Sequence, residues 1–338
     1  MPAVLPSFHY THRGSYSQFI AGGSSSTNLA ISISLNGTNW FSNTRLNSTI
    51  SNTTIIQTIT SGNGIYSGVL NDTVANTSHF VYSSDGIQWK YGALNSLTSA
   101  FSSCYGNGLY VVAGSTSNGI SGASINSYIY TSSNGINYNN TYQPYNGGLY
   151  SNTFFNSACY GNGKFIVVGS TTYLSTNYGA MTISSDGATW SNSSSVPTGA
   201  QNANTVYNSV CYGNGIYVAV GYGIGVVSNS NIISSTNATS WSGNYSANTQ
   251  DRNQLNAVCY GNGIFVAVGS NGSIQTSSNG TSWTNRTSAN TRPLIGVAYG
   301  NGIYVAVDTS GTGQYSTNAI TWTNLPSSIY GSASIIYG

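Results

Sequence analysis

Val258-Cys259-Tyr260-Gly261-Asn262-Gly263-Ile264-Phe265-Val266-Ala267-Val268-Gly269 is written into this chain several times over. Close copies start at Cys104, Cys159 and Cys211, each running into the same Tyr-Gly-Asn-Gly; Ala298-Tyr299-Gly300-Asn301-Gly302 is a fifth version and Ser61-Gly62-Asn63-Gly64 a weaker sixth. Gly-Asn-Gly tolerates φ > 0 at a tight reversal, and β-branched and aromatic residues flank it, so each copy predicts a hairpin. A second signature follows in each unit, as in Ser277-Ser278-Asn279-Gly280-Thr281-Ser282-Trp283 or Ser184-Ser185-Asp186-Gly187-Ala188-Thr189-Trp190. It reads as a second hairpin with an aromatic anchor. Two hairpins make four strands, which is the arithmetic of a β-propeller blade.

Seven such units follow one another, anchored by Trp40, Trp89, Tyr138 (in the tryptophan slot), Trp190, Trp241, Trp283 and Trp322. Their spacing falls from about 55 residues in mid-chain to about 38 at the end, bracketing the usual blade length. The final segment, Ala333-Ser334-Ile335-Ile336-Tyr337-Gly338, matches the first strand of a blade and then stops, whereas the unit at the N-terminus begins with its second strand. The expectation is an all-β, seven-bladed β-propeller of four-stranded antiparallel blades. It forms a single domain over 1–338, with a tail at 1–14 and a closing strand at 332–338 that completes the N-terminal blade. Closure of that kind leaves no unpaired sheet edge at the seam.

Composition narrows the function classes. Only 4% of the 338 residues are charged, glutamate is absent, and the chain carries 27 Tyr, 9 Phe and 6 Trp. Aromatic richness argues against disorder. No apolar run reaches the roughly 20 residues that span a bilayer. A net charge of +2 with no basic stripe argues against nucleic acid. Met1 to Gly14 has no apolar core of a secretory signal. The four cysteines occupy one slot of the repeat, shared with Ala298 and Ile336; neighbouring blades hold that slot too far apart for a disulfide, so they read as small buried apolar residues. His9-Tyr10-Thr11-His12 has a metal-like spacing but no carboxylate partner, and His79 opens a strand; no metal or cofactor is expected.

The two faces of the ring differ in loop length. The first-to-second and third-to-fourth turns are tight, while the second-to-third loops and the inter-blade links, such as Ser115 to Ser127, Ser170 to Ala180 and Asn192 to Asn204, read as long and emerge on the other face. Binding concentrates on variable loops held by a rigid scaffold. Blades three to five bring Tyr142, Tyr145, Tyr150, Tyr173, Tyr178, Tyr222 and Tyr245 to that face; Asp251, Arg252 and Arg292 lie in the other sector. Tyrosine amid Asn, Ser and Thr suits a glycan or a protein surface. Asn36, Asn47, Asn52, Asn71, Asn139, Asn237 and Asn279 stand in Asn-x-Ser/Thr sequons and are glycosylation acceptors by motif alone.

The Ser-Ser-Asp-Gly-x-x-Trp turns after Gly-Asn-Gly-Ile-Tyr-Val-Ala-Val strands resemble Asp-box (BNR-type) propeller repeats, and look similar to bacterial and viral repeats grouped with the photosystem II assembly-factor propellers. The likeness covers the whole chain, although the turn is one residue shorter than a full Asp box and Asn often replaces Asp. It implies that Asp85 and Asp186 brace turns, and it transfers little chemistry. Sialidases on this scaffold need an arginine cluster and a glutamate-activated tyrosine, and this chain has no glutamate. Paired-carboxylate hydrolysis would have to draw on Asp72, Asp251 and Asp308, which nothing marks as a pair. The reading is therefore a non-enzymatic surface or structural module, on a virion or extracellular appendage, that binds glycans or a protein partner through its long-loop face. The alternatives are an intracellular scaffold for assembling a protein complex and, third, a glycan-acting enzyme. A charge-poor surface also offers little repulsion against self-association.

Overall fold

The computed structural model describes residues 17–24, 29–42, 45–46, 54–72, 77–94, 99–116, 126–142, 150–173, 176–192, 205–223, 230–243, 254–308, 310–326, 328–329 and 332–338. They form seven sheets arranged as the blades of a propeller. The inner strands are Ser332–Tyr337, Thr54–Gly62, Ser99–Gly106, Tyr150–Gly161, Thr205–Gly213, Leu255–Gly261 and Leu294–Gly300 for blades one to seven. Each packs on the next around a closed circle. Blade one is completed as the sequence implies. Ser332–Tyr337 runs antiparallel to Phe19–Ser24 with Phe19 opposite Tyr337 and Ile20 opposite Ile336. Gln18 and Gly338 extend that pairing by exchanging backbone hydrogen bonds of 2.8 and 3.1 Å.

Two blades depart from four strands. Arg45–Leu46 adds a fifth, parallel strand to the outer edge of blade two. In blade five the fourth strand shrinks to one bridge between Ser234 and Ser242.

The hairpins form for the reason their residues suggest. Asn63, Asn107, Asn162, Asn214, Asn262 and Asn301 all sit at φ of 43 to 48°, and the glycine after each lies near 75–79°. Asn and Gly are the residues that occupy this left-handed region at least cost. The glycine before each Asn has a different duty. A Cβ on Gly213 would lie 2.0 Å from the Tyr260 ring of the next blade, and the same close approach joins Gly62 to Tyr105, Gly106 to Tyr160, Gly161 to Tyr212, Gly261 to Tyr299 and Gly300 to Tyr337. A Tyr-Gly dipeptide on the inner strand of every blade but the second thus supplies a ring to the blade before it, and Ser61-Gly62 of blade two supplies only a seat, for Tyr105. At the seventh junction Gly338 meets Ser61 instead.

Seven buried apolar clusters fill the seven gaps between blades, one in each. The tryptophan of each 3–4 turn points into the cluster shared with the preceding blade, as Trp283 does beside Val218, Val220 and Phe265. Its indole N–H is satisfied locally, by the Gly280 carbonyl at 3.2 Å. In blade three Tyr138 takes this slot, stacked on Phe80 at 3.9 Å with its hydroxyl on Ser67 at 2.7 Å. The four cysteines are unpaired, Cys104 and Cys159 buried and Cys211 and Cys259 partly buried, and burial raises their thiols, Cys104 to about 12.

The inner strands are also stitched through polar atoms. Each carries a bulge at an equivalent place, for example between Tyr207 and Ser209. Asn156 and Asn208 donate from the bulge to the Tyr207 and Leu255 carbonyls of the next blade, at 2.9 and 2.8 Å. The serines that follow, Ser157 and Ser209, accept the Val210 and Val258 N–H. An inner edge strand would otherwise leave those backbone groups unpaired.

The two glycines of one turn separate the roles. Gly213→Ala should destabilise the protein by about 3 kcal/mol, the upper end of overpacking costs. Gly215→Ala, where an added Cβ meets nothing within 4 Å, should cost only the left-handed backbone strain of about 1 kcal/mol. Chemical denaturation of both variants reads the difference directly.

Candidate functional site

Antiparallel connectivity sends the Gly-Asn-Gly and Ser-Asn-Gly turns to one face and the 2–3 connections to the other. The latter are not uniformly long. Blade six turns through a single 3-10 turn, Ser270–Gly272, and blade seven through 309–312. In blade four the segment read as a loop from Ser170 to Ala180 continues the ladder instead, with Tyr173 opposite Thr176 across two connecting residues. β-Branched Thr171, Thr172 and Thr176 favour the extended chain over a loop.

The consequence is a projecting hairpin. In blade four the ladder runs past Phe155–Gly169 through Phe154–Ser170 and Ser151–Thr172 to Tyr150–Tyr173. Four residues of strand at ~3.3 Å each carry it about 13 Å further. Its base is buried and polar: the Thr153 and Thr171 hydroxyls meet at 2.7 Å, and Ser127 of blade three donates to the Thr153 carbonyl. The sequence-predicted tyrosines gather at this end. Tyr150 and Tyr173 are cross-strand partners, Tyr178 lies near the start of the third strand opposite Thr171, and Tyr222 is the last residue but one of the second strand of blade five, opposite Val206. Tyr178 and Tyr222 are half-buried. Tyr142 ends the fourth strand of blade three, opposite Ile129. Tyr145, Tyr245, Asp251 and Arg252 lie outside the described residues, as do Asn47 and Asn52.

Arg292 stands apart, exposed above blade seven. Its guanidinium reaches Ser310, whose hydroxyl and N–H donate to Asp308 at 2.7 and 2.8 Å. Thr312 adds its N–H and hydroxyl to the same carboxylate. Burial works against ionisation of Asp308, yet these donors outweigh it and hold the pKa below the usual carboxylate range. A carboxylate so occupied clamps a tight connection, and its four protein donors leave it poorly suited to proton transfer.

The Ser-x-Asp/Asn turns are likewise closed on themselves. Asp186 Oδ1 accepts the Ala188 and Thr189 N–H at 2.8 and 2.7 Å and the Ser184 hydroxyl at 2.9 Å. Asn36, Asn237 and Asn279 repeat the arrangement with a carboxamide oxygen. All three are exposed at turns, and Asn139 is exposed on the outer strand of blade three. Asn71 is buried, and its Oδ1 accepts the Ser78 hydroxyl at 2.6 Å. Among the described residues no three His, Cys, Asp or Glu side chains come together as a metal site, and no helix is long and apolar enough to cross a membrane.

One feature beneath the hairpin was hidden in the repeat. Tyr207 occupies the inner-strand position that Phe155, Leu255 and Leu294 fill in other blades, and Gly179 of blade four makes room for it, a Cβ there falling 2.3 Å from its ring. Its hydroxyl is buried with no hydrogen-bond partner, and burial raises its pKa well above the usual phenol value. Asn231 Oδ1, on the same blade, is also buried and unpartnered. An inner-strand Tyr in a slot held by Ile56, Ala100, Phe155, Leu255 and Leu294 in other blades was the available signal.

No protein-family model matches the chain, and no curated protein matches it. Among solved structures, Trypanosoma rangeli sialidase in complex with the inhibitor DANA superposes with a TM-score of 0.53 at 12% identity, over 80% of this chain and 53% of that one. The chain therefore spans about half the length of that sialidase. YCF48 bound to a peptide matches at a TM-score of 0.54 and 12% identity, covering 87% of each chain. A 6-phosphogluconolactonase homologue from Bacteroides fragilis, itself described as putative, reaches 0.58 at 8% identity over 98% of this chain and 99% of that one. At these identities the likeness is one of fold, and its bearers have unrelated roles.

Two measurements check this description. The Asp186 carboxylate ionises at about 2, held down by the Thr189 and Ala188 N–H and the Ser184 hydroxyl, against ~4 in an unfolded chain. Its stabilising contribution is thus present above pH ~4 and is lost as pH falls through ~2. Asp186→Asn, the residue that five other turns use, should flatten that acid limb of the stability curve while leaving neutral-pH stability nearly unchanged. Tyr207→Phe removes a buried hydroxyl that has no partner, so it should raise stability by about 1 kcal/mol; a loss of that size would show that the hydroxyl is satisfied in solution.

Proposed function

We propose that the protein is a non-enzymatic binding module that engages a glycan or a protein surface through the long-loop face, centred on the blade-four hairpin and the adjoining edge of blade five. The observation that carries this reading is the projecting ladder ending in Tyr150 opposite Tyr173, with Tyr178 and Tyr222 at the same end of neighbouring strands. Rigid strand ends hold their side chains at lower entropic cost than free loops, and tyrosine supplies contact area with a polar tip. The carboxylates support binding over catalysis. Asp85, Asp186 and Asp308 each serve several protein donors, so none stands ready as an acid or nucleophile.

A protein surface is the ligand of the second reading, a scaffold for complex assembly. The peptide held by the YCF48 propeller supports it by analogy of fold.

The test is a glycan array beside affinity capture, run with the intact chain and with Tyr173→Ala and Tyr222→Ala. Binding to a defined glycan that weakens by about tenfold or more in either variant is the expected result. A ligand whose affinity is indifferent to both substitutions would refute the location.

A further inference from the structure

The opposite face carries a second aromatic assembly that the loop-face reading leaves unused. Each inner strand from blade three to blade seven ends in Tyr-Gly at its tight turn, and the strand closing blade one ends in Tyr337-Gly338. Tyr105, Tyr160, Tyr212, Tyr260, Tyr299 and Tyr337 therefore form a collar around the axis at the tight-turn mouth of the ring. Each ring seats on the glycine of the preceding blade. Each is also held against an aromatic of its own blade's second strand, at 4.5 to 4.9 Å between centroids. That double contact fixes the rings, yet all six remain half-exposed. Among the described residues their hydroxyls make no hydrogen bond, unlike those of Tyr110, Tyr217 and Tyr304 behind them, which donate to glycine carbonyls of the preceding blade. At blade two the collar is open, because Ser61 stands where a tyrosine would.

The chemistry of the lining narrows the occupant. None of the seven inner strands contains a charged residue, so a phosphate, sulfate or carboxylate would lose its hydration with no counter-charge to meet it. An extended peptide is disfavoured for a different reason. It would seek an open strand edge, but the inner edges are clasped already: Ala158 N–H by Ser102, Val210 N–H by Ser157, and the Leu255 and Leu294 carbonyls by Asn208 and Asn256. What the collar offers is fixed, partly exposed phenol rings whose hydroxyls have no partner among the described residues, which suits a molecule with apolar C–H faces and hydroxyl rims. We propose that the tyrosine collar is a binding site for an uncharged saccharide, entered along the axis from the tight-turn face and distinct from the loop-face site.

The test uses the full chain and uncharged linear hexasaccharides of glucose and of N-acetylglucosamine. Binding is read by calorimetry, and tyrosine accessibility by tetranitromethane nitration mapped by mass spectrometry. Nitration of Tyr212, Tyr260 and Tyr299 should fall at least threefold when the sugar is bound. The double variant Tyr260→Ser/Tyr299→Ser, which installs the serine that blade two carries naturally, should weaken binding about tenfold or more. Tyr260→Phe/Tyr299→Phe keeps the packing over Gly213 and Gly261, so a smaller loss in a protein of unchanged melting temperature separates a binding defect from a folding one. Phe41→Ser, at an exposed position on the outermost strand of blade one, should leave this affinity unchanged. The proposal is overturned if no uncharged hexasaccharide binds, if the collar nitrates equally with and without sugar, or if only peptides or charged sugars bind. Loss of sugar binding in Tyr222→Ala alone would also overturn it while supporting the loop-face reading, so the two sites stand or fall separately.

Discussion

The tyrosine ring laid over a bare glycine of the neighbouring blade is the contact on which the rest of the molecule depends. Seven inner strands can approach a common axis closely only where one partner has no side chain, and any Cβ at these glycines would fall 2.0 to 2.1 Å from a ring carbon. Because each Tyr-Gly dipeptide from blade three to blade seven gives a ring backward and receives one from ahead, the contact propagates along these blades without a separate joint for each pair. Blade two alone lacks the ring. There Tyr66, from the second strand, donates its hydroxyl to the Gly338 carbonyl at 2.8 Å, and Gln18 bridges to the Asp85 carbonyl at 2.9 Å. That junction has no ring over its glycine and keeps only the hydroxyl-to-carbonyl bond that Tyr110, Tyr217 and Tyr304 also make at ring-bearing junctions.

From that constraint follows the odd composition. Apolar clusters between blades supply the burial, while serine and asparagine at the inner bulges satisfy the backbone groups that face the axis. The 3–4 turns satisfy themselves through the Ser hydroxyl and one Asx oxygen, carboxylate in two blades and carboxamide in five. Nothing in this plan requires ion pairs, and the chain holds few charges to make them. Alanine even replaces glycine in two of these turns, at φ of 68° for Ala238 and 60° for Ala319. Both alanines are buried in the clusters of their blades, so methyl burial offsets part of the strained backbone.

Much of this was legible in the residues. The repeat of Tyr-Gly-Asn-Gly, the aromatic anchor after each Ser-x-Asx-Gly, and the solitary terminal strand were enough for the blade count, the order of strands and the closure of the ring. Strand length was harder to read. Blade four continues through Ser170 to Tyr173 because threonines pair there, and a run of Ser, Thr and Tyr looks the same in a loop as in an exposed hairpin. The fifth strand of blade two was invisible for a similar reason: Arg45–Leu46 carries no periodicity. Contacts between units were least legible. The pairing of Gly213 with Tyr260, or of Gly179 with Tyr207, joins residues some 28 to 47 positions apart, and no local pattern records it. Asn71 likewise carries a sequon, yet its environment is set by Ser78 and the Ala100 N–H.

The molecule is one ring of interlocked inner strands in which Ser332–Tyr337 is a full member. Hydrogen exchange of the intact protein measures this directly. The amides of 332–338 should exchange as slowly as those of the inner strand Leu294–Gly300, since both lie in paired inner strands whose ends are locked by aromatic or hydroxyl contacts. Exchange of 332–338 within seconds, with the other six inner strands still protected, would show an open ring and contradict the account.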